Sequence, residues 1–401
     1  MAGASQAASA RGDGPPTWAV IAGGGTGGHL YPGLAVAREL VAHGHDPRSV
    51  RFVGARRGLE ARTEALAGFP STLLPGRGLR RSFSPPDLVA NARALAGSMA
   101  AAAIAVRLFA TWRPAVVVSL GGYASAPCVV AAAIWRVPVV VVNVDAVAGW
   151  ANRLAASVAV ACAVGAPAAG LPRATFTGVP VRAAMAAVDR GPEGRRRARE
   201  RLGLPVGAKV VAISGGSLGS LRINRATLEL AGLWAGRDDV AIRHVVGRRD
   251  WDEFHKPGRA TGSLVYQQVP YEEDMPTLYA AADVAVQRAG ANTVAELALA
   301  GVPSVLVPLP GAPGDHQGAN ARALAGAGGA LVVPDAELDG GRLARELDGL
   351  LGHPDRLARM GEAARGLGRP DAAAQVAALV ERHARRRRDH GRGRGSGTRG
   401  G

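Results

Sequence analysis

Short runs of β-branched residues alternate with Ala- and Leu-rich segments of helical length along most of this chain. Apolar strands separated by helices are typical of a parallel sheet that is covered on both faces. Two groups of such strands are present, and each group opens with a strand that leads into a glycine cluster and then a helix. We therefore predict an α/β fold of two doubly wound parallel-sheet domains that face each other across a cleft. The predicted strands are Trp18–Ala22, Val50–Val53, Ala115–Leu120, Val137–Val142, Lys209–Ser214, Ile242–Val246, Val284–Gln287 and Ser304–Leu309.

A polar segment from Asp189 to Pro205 divides the two groups of strands. Its Gly and Pro boundaries predict a short linker that contains one helix. The chain ends have few apolar residues and are expected to be disordered. The predicted units are a disordered segment 1–16, a first domain 17–182, a linker 183–206, a second domain 207–369, a helix near 370–384 that returns to the first domain, and a disordered tail 385–401.

The charge balance favours anionic partners. The chain has 48 basic and 32 acidic residues, a net charge of +16, and the tail 385–401 holds seven arginines against Asp389. Phosphates, acidic lipids and nucleic acid all fit such a charge. Aromatic residues make up only 4% and no nucleic-acid-binding module is recognisable, so we expect no specific nucleic acid partner. Cys128 and Cys162 lie in Ala/Val-rich stretches and are expected to be buried and reduced.

The first glycine cluster, Gly23–His29, directly follows the first predicted strand. Glycines let a backbone approach a phosphate closely, and the N–H groups at the start of the next helix favour an anion. Pro32 predicts that this helix begins near residue 32. The cluster also fits the G-x-G-x-x-G dinucleotide fingerprint, but the second strand leads into Arg56 and Arg57 and has no acidic residue at its end. An NADP-binding oxidoreductase therefore stays open as an alternative.

The second glycine cluster, Gly215–Ser220, follows the strand Lys209–Ser214. Its backbone N–H groups and the Ser217 hydroxyl can hold a diphosphate, whereas a tight strand-to-helix turn is the structural alternative. A second phosphate-type loop is not expected in a simple dehydrogenase.

Two further groups of polar residues follow strands in the second half. In Arg288–Glu296, we expect Asn292 or Thr293 to cap the helix, Arg288 to neutralise phosphate charge, and Glu296 to accept both hydroxyls of a ribose. A capping-box role is the alternative for Glu296.

In the segment from Gly314 to Ala321, His316 and Gln317 lie where a loop is predicted to meet a helix, and Gln317 can donate to and accept from sugar hydroxyls. Four constellations at the carboxyl ends of strands thus favour a ligand with a ribose, a diphosphate and a sugar.

Together these motifs resemble the MurG family of GT-B glycosyltransferases. The resemblance runs from about residue 18 to residue 384. It implies a GT-B fold and inverting transfer of N-acetylglucosamine from UDP-GlcNAc to the 4-hydroxyl of MurNAc in lipid I, which yields lipid II and UDP without a cofactor. The motifs that carry it are GGGTGGH (23–29), GARRGLE (54–60), GLRR (78–81), GGY (121–123), TGVPVR (177–182), GGSLGSLRIN (215–224), YEEDM (271–275), RAGANTVAE (288–296) and DHQGANA (315–321).

The resemblance also implies which residues bind the substrates. Uracil would lie against the backbone near Tyr271 and Glu272 with Arg182 close by, and the ribose would bind Glu296. The implied donor residues are Thr26, Gly27, Gly28, Asp145, Arg182, Ser217, Glu272, Arg288, Ala291, Asn292, Thr293, Glu296, His316 and Gln317. The implied contacts to the acceptor diphosphate are Gly24, Gly25, Gly121, Gly122 and Tyr123.

One departure from the family concerns the segment Val142–Asp145. The family usually reads His-Glu-Gln-Asn there, so Asp145 stands in place of an asparagine. The added charge favours, as an alternative, a GT-B transferase with a different lipid or small-molecule acceptor.

For the general base, His29 is the first candidate because imidazole titrates near neutral pH, and Asp145 is the second. The alternative for His29 is that it donates a hydrogen bond to a phosphate. No Asp-x-Asp motif follows a strand, so we expect no metal, with helix N-termini and Arg288 stabilising the leaving group.

A polyprenyl acceptor requires contact with a membrane. The segment 76–83 alternates basic and apolar residues, and its Leu79, Arg80, Arg81 and Phe83 form the predicted membrane patch. The helix predicted from Asp87 to Trp112 would lie beside it, and an ordinary solvated loop next to a core helix is the alternative. The expected partners are UDP-GlcNAc, lipid I and the anionic surface of the cell membrane on its cytoplasmic face, where we expect the protein to be peripheral.

Overall fold

A computed structural model describes residues 16–24, 27–55, 66, 68–75, 85–216, 218–255 and 262–385. The strands in these residues are β1 (Ala19–Gly23), β2 (Val50–Ala55), β3 (Ser71–Leu74), β4 (Val116–Gly121), β5 (Val139–Asn143), β6 (Ala161–Val164), β7 (Ala174–Phe176), β8 (Lys209–Ser214), β9 (Val240–Val245), β10 (Val265–Val269), β11 (Val284–Gln287), β12 (Ser304–Leu306) and β13 (Ala330–Val332).

The α-helices are α1 (Gly27–Ala42), α2 (Pro85–Trp112), α3 (Ser125–Ile134), α4 (Trp150–Val158), α5 (Ala183–Ala186), α6 (Pro192–Leu202), α7 (Leu221–Leu233), α8 (Trp251–Phe254), α9 (Met275–Ala281), α10 (Ala291–Ala300), α11 (His316–Gly326), α12 (Gly340–Leu351), α13 (Pro354–Leu367) and α14 (Ala372–His383).

The strands form two fully parallel sheets, with the orders β3-β2-β1-β4-β5-β6-β7 and β10-β9-β8-β11-β12-β13. We call the seven-stranded sheet with α1–α4 and α14 the first lobe, and the six-stranded sheet with α5–α13 the second lobe. The prediction of two doubly wound parallel-sheet domains is confirmed.

Each of the eight predicted strands is present, with its ends shifted by no more than three residues. The sequence analysis did not identify β3, β6, β7, β10 and β13. Four of these five are edge strands, and the three residues of β7 are all exposed. An edge strand is covered less fully than a central one, so it needs no continuous apolar run.

Helices cover both faces of the first sheet. On one face, Leu34 of α1 and Val376 of α14 pack on Ile21 of β1. On the other face, Phe109 of α2 and Cys128 of α3 pack on the same sheet. Both cysteines are free and buried, as expected, and burial raises the pKa of the Cys128 thiol to about 12.

Two predicted helix starts are wrong. The helix after the first glycine cluster begins at Gly27, so Pro32 lies inside α1 rather than in its first turn. Proline has no N–H to donate to the Gly28 carbonyl one turn earlier, and that carbonyl instead accepts from Asn292 Nδ2 of the second lobe at 3.4 Å. The cap of α10 is Gly290, with no side-chain capping bond, so neither Asn292 nor Thr293 caps this helix.

The chain passes between the lobes twice, and the two connections touch. The first leaves β7 and runs through Gly178 to Arg182, and the second joins α13 to α14. Gly178 has φ +81°, and a Cβ there would lie 2.6 Å from the Arg369 Cβ, so no larger side chain fits. The Arg369 guanidinium also lies over the Phe176 ring, 5.0 Å from its centre. This contact joins the two connections, which we call the hinge between the lobes.

The segment Ala94–Trp112 of α2 is, by length and composition, the one helical stretch among the described residues that is long and apolar enough to cross a membrane. Its Ala101, Ala105 and Phe109 are nevertheless buried against the first sheet. The helix therefore packs as part of the first lobe.

Candidate active site

The carboxyl ends of the two sheets face each other, and side-chain contacts connect the lobes there. Tyr31 of α1 and Tyr271 of the second lobe have hydroxyl oxygens 3.1 Å apart. Asn292 donates to the Gly28 carbonyl, as described above, and Asn320 of α11 donates to Asp145 Oδ1 at 3.1 Å. Residues from the ends of strands in both lobes thus line one cleft.

The wall formed by the first lobe consists largely of closely packed backbone. A Cβ on Gly122, which has φ +76°, would lie 2.6 Å from the Gly24 carbonyl oxygen and 3.5 Å from His29 Nδ1. The loop after β4 therefore lies against the loop after β1, with the His29 imidazole beside both. Tyr123 donates its hydroxyl to the Pro75 carbonyl at 2.8 Å, which holds this loop from outside. Gly25 and Thr26 lie outside the described residues.

His29 is the titratable group at the centre of this wall. Burial lowers its pKa, the carboxylate of Asp145 acts in the opposite direction, and His316 of the second lobe lowers it further. The two sequence-derived candidates for a general base, His29 and Asp145, therefore interact electrostatically. A lowered pKa keeps His29 neutral, and so able to accept a proton, at neutral pH.

Asp145 follows β5 and is fixed from both lobes. Asn143 donates to its main-chain carbonyl at 2.7 Å and accepts in turn from Asn152 Nδ2 at 3.0 Å. On the other side, Asn320 binds both the Asp145 carboxylate and the next backbone N–H, that of Ala146, at 2.9 Å. The sequence analysis identified Asp145 but none of these three asparagines.

The second glycine loop leads into α7, whose cap is Ser220. Arg288 lies against this cap: its guanidinium donates to Ser220 Oγ at 2.6 Å and to the Val307 and Pro308 carbonyls at 3.1 Å. Asp335 forms an ion pair with it at 2.6 Å. Arg288 is thus held beside the start of α7 before any anion binds. Ser217 lies outside the described residues.

Glu296 lies one and a half turns into α10 and pairs with Arg182 at 3.3 Å, with both side chains largely buried. Burial raises the pKa of Glu296, and the Arg182 guanidinium opposes that rise. Arg182 also lies over the Tyr31 ring, 5.3 Å from its centre. This pair joins the hinge segment to the wall formed by the second lobe.

The remaining candidates of the second lobe have partly engaged side chains. Glu272 forms an ion pair with Arg243 at 2.9 Å, which leaves its backbone for a ligand. Gln317 Oε1 accepts from the Leu309 N–H at 2.9 Å, so its Nε2 stays available as a donor. His316 Nδ1 lies 2.9 Å from the Pro313 carbonyl and must donate to it.

Several residues that the sequence analysis predicted as ligand contacts lie where their backbone N–H groups, rather than their side chains, can bind a ligand. Ala291, Asn292 and Thr293 form the first turn of α10, where N–H groups have no partner within the helix. Gly27 and Gly28 begin α1 in the same way, on the opposite side of the cleft.

The membrane patch of Leu79, Arg80, Arg81 and Phe83 lies outside the described residues.

The chain matches two family profiles. One, described as the glycosyltransferase family 28 N-terminal domain, matches residues 19–164, and the other, the glycosyltransferase family 28 C-terminal domain, matches residues 210–376. The two profiles therefore correspond to the sheets of the first and second lobes.

Curated relatives share one name, UDP-N-acetylglucosamine–N-acetylmuramyl-(pentapeptide) pyrophosphoryl-undecaprenol N-acetylglucosamine transferase. That of Alkalilimnicola ehrlichii is 40% identical over 378 residues, which cover 91% of this chain and 99% of the relative. That of Desulforudis audaxviator is 36% identical over 373 residues, which cover 90% and 97%.

Solved structures agree with these relatives. The crystal structure of Acinetobacter baumannii MurG superposes with a TM-score of 0.69 at 28% identity, over 92% of this chain and 100% of that one. The UDP-GlcNAc 2-epimerase of Neisseria meningitidis, at 12% identity and a TM-score of 0.60, shares the fold alone. The chain therefore belongs to glycosyltransferase family 28 and, within it, to the MurG family of N-acetylglucosamine transferases.

Proposed function

We propose that this protein transfers N-acetylglucosamine from UDP-GlcNAc to the 4-hydroxyl of MurNAc in lipid I, with inversion, to give lipid II and UDP. The observation that supports this most strongly is the shared cleft, in which His29 and Asp145 of the first lobe face Arg288, Glu296 and Gln317 of the second. A two-substrate transfer needs a donor site and an acceptor site that meet.

In this proposal the second lobe binds the donor. The uracil lies against the backbone at Tyr271 and Glu272, and the ribose hydroxyls donate to the Glu296 carboxylate. The diphosphate lies at the starts of α7 and α10, where the N–H groups and Arg288 stabilise its charge. Gln317 and His316 bind the hydroxyls of the sugar.

The first lobe binds the acceptor and activates its hydroxyl. His29 takes the proton of the 4-hydroxyl while the oxygen attacks the anomeric carbon, and the bonding electrons of the C1–O bond leave with UDP. The Asp145 carboxylate favours the imidazolium that forms, because its charge raises the pKa of His29. The acceptor diphosphate lies at Gly24 and at the Gly121–Tyr123 loop.

We propose further that the first lobe rests on the anionic cytoplasmic face of the cell membrane. Support comes from the three helices that cover one face of its sheet, because each exposes large apolar side chains. These are Leu95, Met99 and Ile104 of α2, Val130 and Ile134 of α3, and Trp150, Leu154 and Val158 of α4. An exposed apolar face of this kind suits an interfacial contact.

Vesicle co-sedimentation tests the membrane contact. We expect the protein to bind vesicles that contain anionic lipid. Two double variants should bind more weakly: one with Arg80 and Arg81 replaced by Ser, and one with Trp150 and Leu154 replaced by Ser. Equal binding of the wild-type chain and both variants, or binding that ignores anionic lipid, would remove this part of the proposal.

A transfer assay with radiolabelled UDP-GlcNAc and lipid I tests the function itself. We expect label to appear in lipid II, and UDP rather than NADP to raise the melting temperature of the protein. Labelled product with another lipid acceptor, but none with lipid I, would favour the alternative transferase to which Asp145 points. Stabilisation by NADP without any transfer would favour the oxidoreductase.

A further inference from the structure

Asn320 connects the two lobes at the point where the two candidate catalytic groups lie. It belongs to α11 of the second lobe and is 5% exposed. Its Nδ2 donates to Asp145 Oδ1 and to the Ala289 carbonyl, both at 3.1 Å, and its Oδ1 accepts from the Ala146 N–H at 2.9 Å. Both ends of this side chain amide are therefore engaged, and two of its three bonds reach into the other lobe.

We propose that Asn320 is a positioning residue that aligns the Asp145 carboxylate with His29 from the opposite side of the cleft. This inference rests on the proposed function and assigns a role within the same site. Asn320 does not touch a reacting atom, so its effect on the reaction is exerted through Asp145.

The bonds around Asp145 divide between the lobes in a way that supports this role. Within the described part of the first lobe, Asn143 binds its main-chain carbonyl and is itself held by Asn152. Its carboxylate accepts a hydrogen bond from Asn320, which is itself anchored to Ala289, the neighbour of Arg288. Separation of the lobes would leave the Asp145 backbone in place but release its carboxylate.

The titratable groups that face His29 determine what should be measured. They are the Asp145 carboxylate, which raises the pKa of the imidazole, and His316, which lowers it. If Asn320 no longer fixes the carboxylate, the favourable effect of Asp145 weakens. The pKa of His29 then falls, and the acid limb of kcat moves to lower pH. Transition-state stabilisation of the imidazolium weakens as well, so kcat falls.

The first experiment follows the imidazole of His29 by NMR in the whole, substrate-free protein labelled at histidine, with His29→Gln to assign the signal. We expect Asn320→Ala to lower the pKa of His29 and Asp145→Asn to lower it as well. In the Asp145→Asn background, Asn320→Ala should cause no further change, because the carboxylate that it positions is gone. An unchanged titration in Asn320→Ala, or an undiminished shift in the Asp145→Asn background, would overturn the proposal.

Kinetics provide the second readout. We expect Asn320→Ala to lower kcat by about tenfold, the usual order for loss of a charge-assisted hydrogen bond, with the KM for UDP-GlcNAc changed less than about twofold. The matched control is Asn224→Ala, a buried asparagine of α7 whose hydrogen bonds stay within the second lobe. It should lower the melting temperature but leave the pKa of His29 unchanged. A rise in KM with unchanged kcat in Asn320→Ala would contradict the positioning role.

The test remains decisive if a variant does not fold or if the wild-type protein shows no transfer activity. If Asn320→Ala does not fold, Asn320→Ser retains a polar group that is too short to reach Asp145 and serves in its place. The NMR titration needs no transfer activity, so it judges the role of Asn320 even if the wild-type protein fails to convert lipid I. Failure of the transfer assay alone would therefore count against the proposed function, and failure of the titration alone against this inference.

Discussion

The two walls of the cleft are built in different ways. In the second lobe, charged side chains already have charged partners, as Arg288 has in Asp335 and Glu296 has in Arg182. Each of these groups is held in place before a ligand arrives. Such a wall suits a donor that is bound mainly through its diphosphate and ribose. Its charged side chains need little reorganisation when the donor binds, because they are already held in place.

The first lobe uses backbone in place of charge. Gly24 and Gly122 approach each other so closely that no side chain fits between their loops, and His29 lies against both. The Asp145 carboxylate raises the pKa of His29, and a residue of the opposite lobe fixes that carboxylate. The difference suggests that the second lobe determines donor affinity, whereas the first lobe determines the rate of the chemical step.

Replacement of His29 should separate these two roles most strongly. We expect His29→Ala to lower kcat by about 10²- to 10⁴-fold, the usual contribution of a general base, with little change in the Kd for UDP-GlcNAc. Single-turnover transfer and calorimetric binding would measure the two quantities. His43→Ala, a histidine on the surface of the same lobe, is the control and should affect neither. Equal losses of rate and affinity would reject His29 as the base.

The glycine contact predicts the next largest effect. Gly122→Ala would place a Cβ 2.6 Å from the Gly24 carbonyl at a positive φ, so we expect the loops to separate, with a loss of about 1–3 kcal/mol of stability and of most activity. Thermal unfolding and the transfer assay would measure both. Gly232→Ala, in a helix with nothing within 4 Å of the added Cβ, should be neutral or slightly stabilising. Similar results for both variants would show that the close approach is not required.

The ribose site of the second lobe gives a smaller effect. We expect Glu296→Gln to weaken UDP binding by about tenfold, since a charged acceptor for two hydroxyls is replaced and Arg182 loses its partner. Affinity for 2′,3′-dideoxy-UDP should change much less, which identifies the lost contact as the ribose. Calorimetry with both nucleotides would measure this, and an equal loss for both would remove the ribose assignment.

The smallest predicted effect concerns Asp335. Because its carboxylate offsets the charge of Arg288, Asp335→Asn should strengthen UDP binding by a few-fold at low salt, and the gain should shrink as salt rises. Titrations at two ionic strengths would measure it. Asp348→Asn, a surface aspartate of the same lobe paired with Arg237, is the control and should leave UDP affinity unchanged. Weaker binding by Asp335→Asn would show that holding Arg288 in place matters more than its net charge.

The sequence predicted the central strands apart from β6, both sheets and the loops that face the cleft, because buried parallel strands need continuous apolar runs and phosphate loops need glycine. Edge strands such as β7 lack that requirement and were missed. The ion pair of Arg288 with Asp335 and the contact of Asn320 with Asp145 were also missed. These pairs are far apart in the chain, and no local pattern indicates which polar residues meet across a cleft.

Pro32 shows a second reason why a prediction from sequence alone can be wrong. A proline normally marks the first turn of a helix, yet α1 begins five residues earlier. The carbonyl that Pro32 leaves without its helical partner accepts from Asn292 of the other lobe. A tertiary contact thus offsets a local preference, and the sequence of either segment alone does not reveal it.

A crystal structure of the protein with UDP-GlcNAc tests the central claim most directly, which is that a donor bound by the second lobe presents its anomeric carbon to the candidate catalytic groups of the first lobe. The account predicts ribose hydroxyls within hydrogen-bond distance of Glu296, the diphosphate at Arg288 and the start of α7, and the anomeric carbon facing His29 across the cleft. A donor bound with its anomeric carbon turned away from His29 and Asp145 would contradict it.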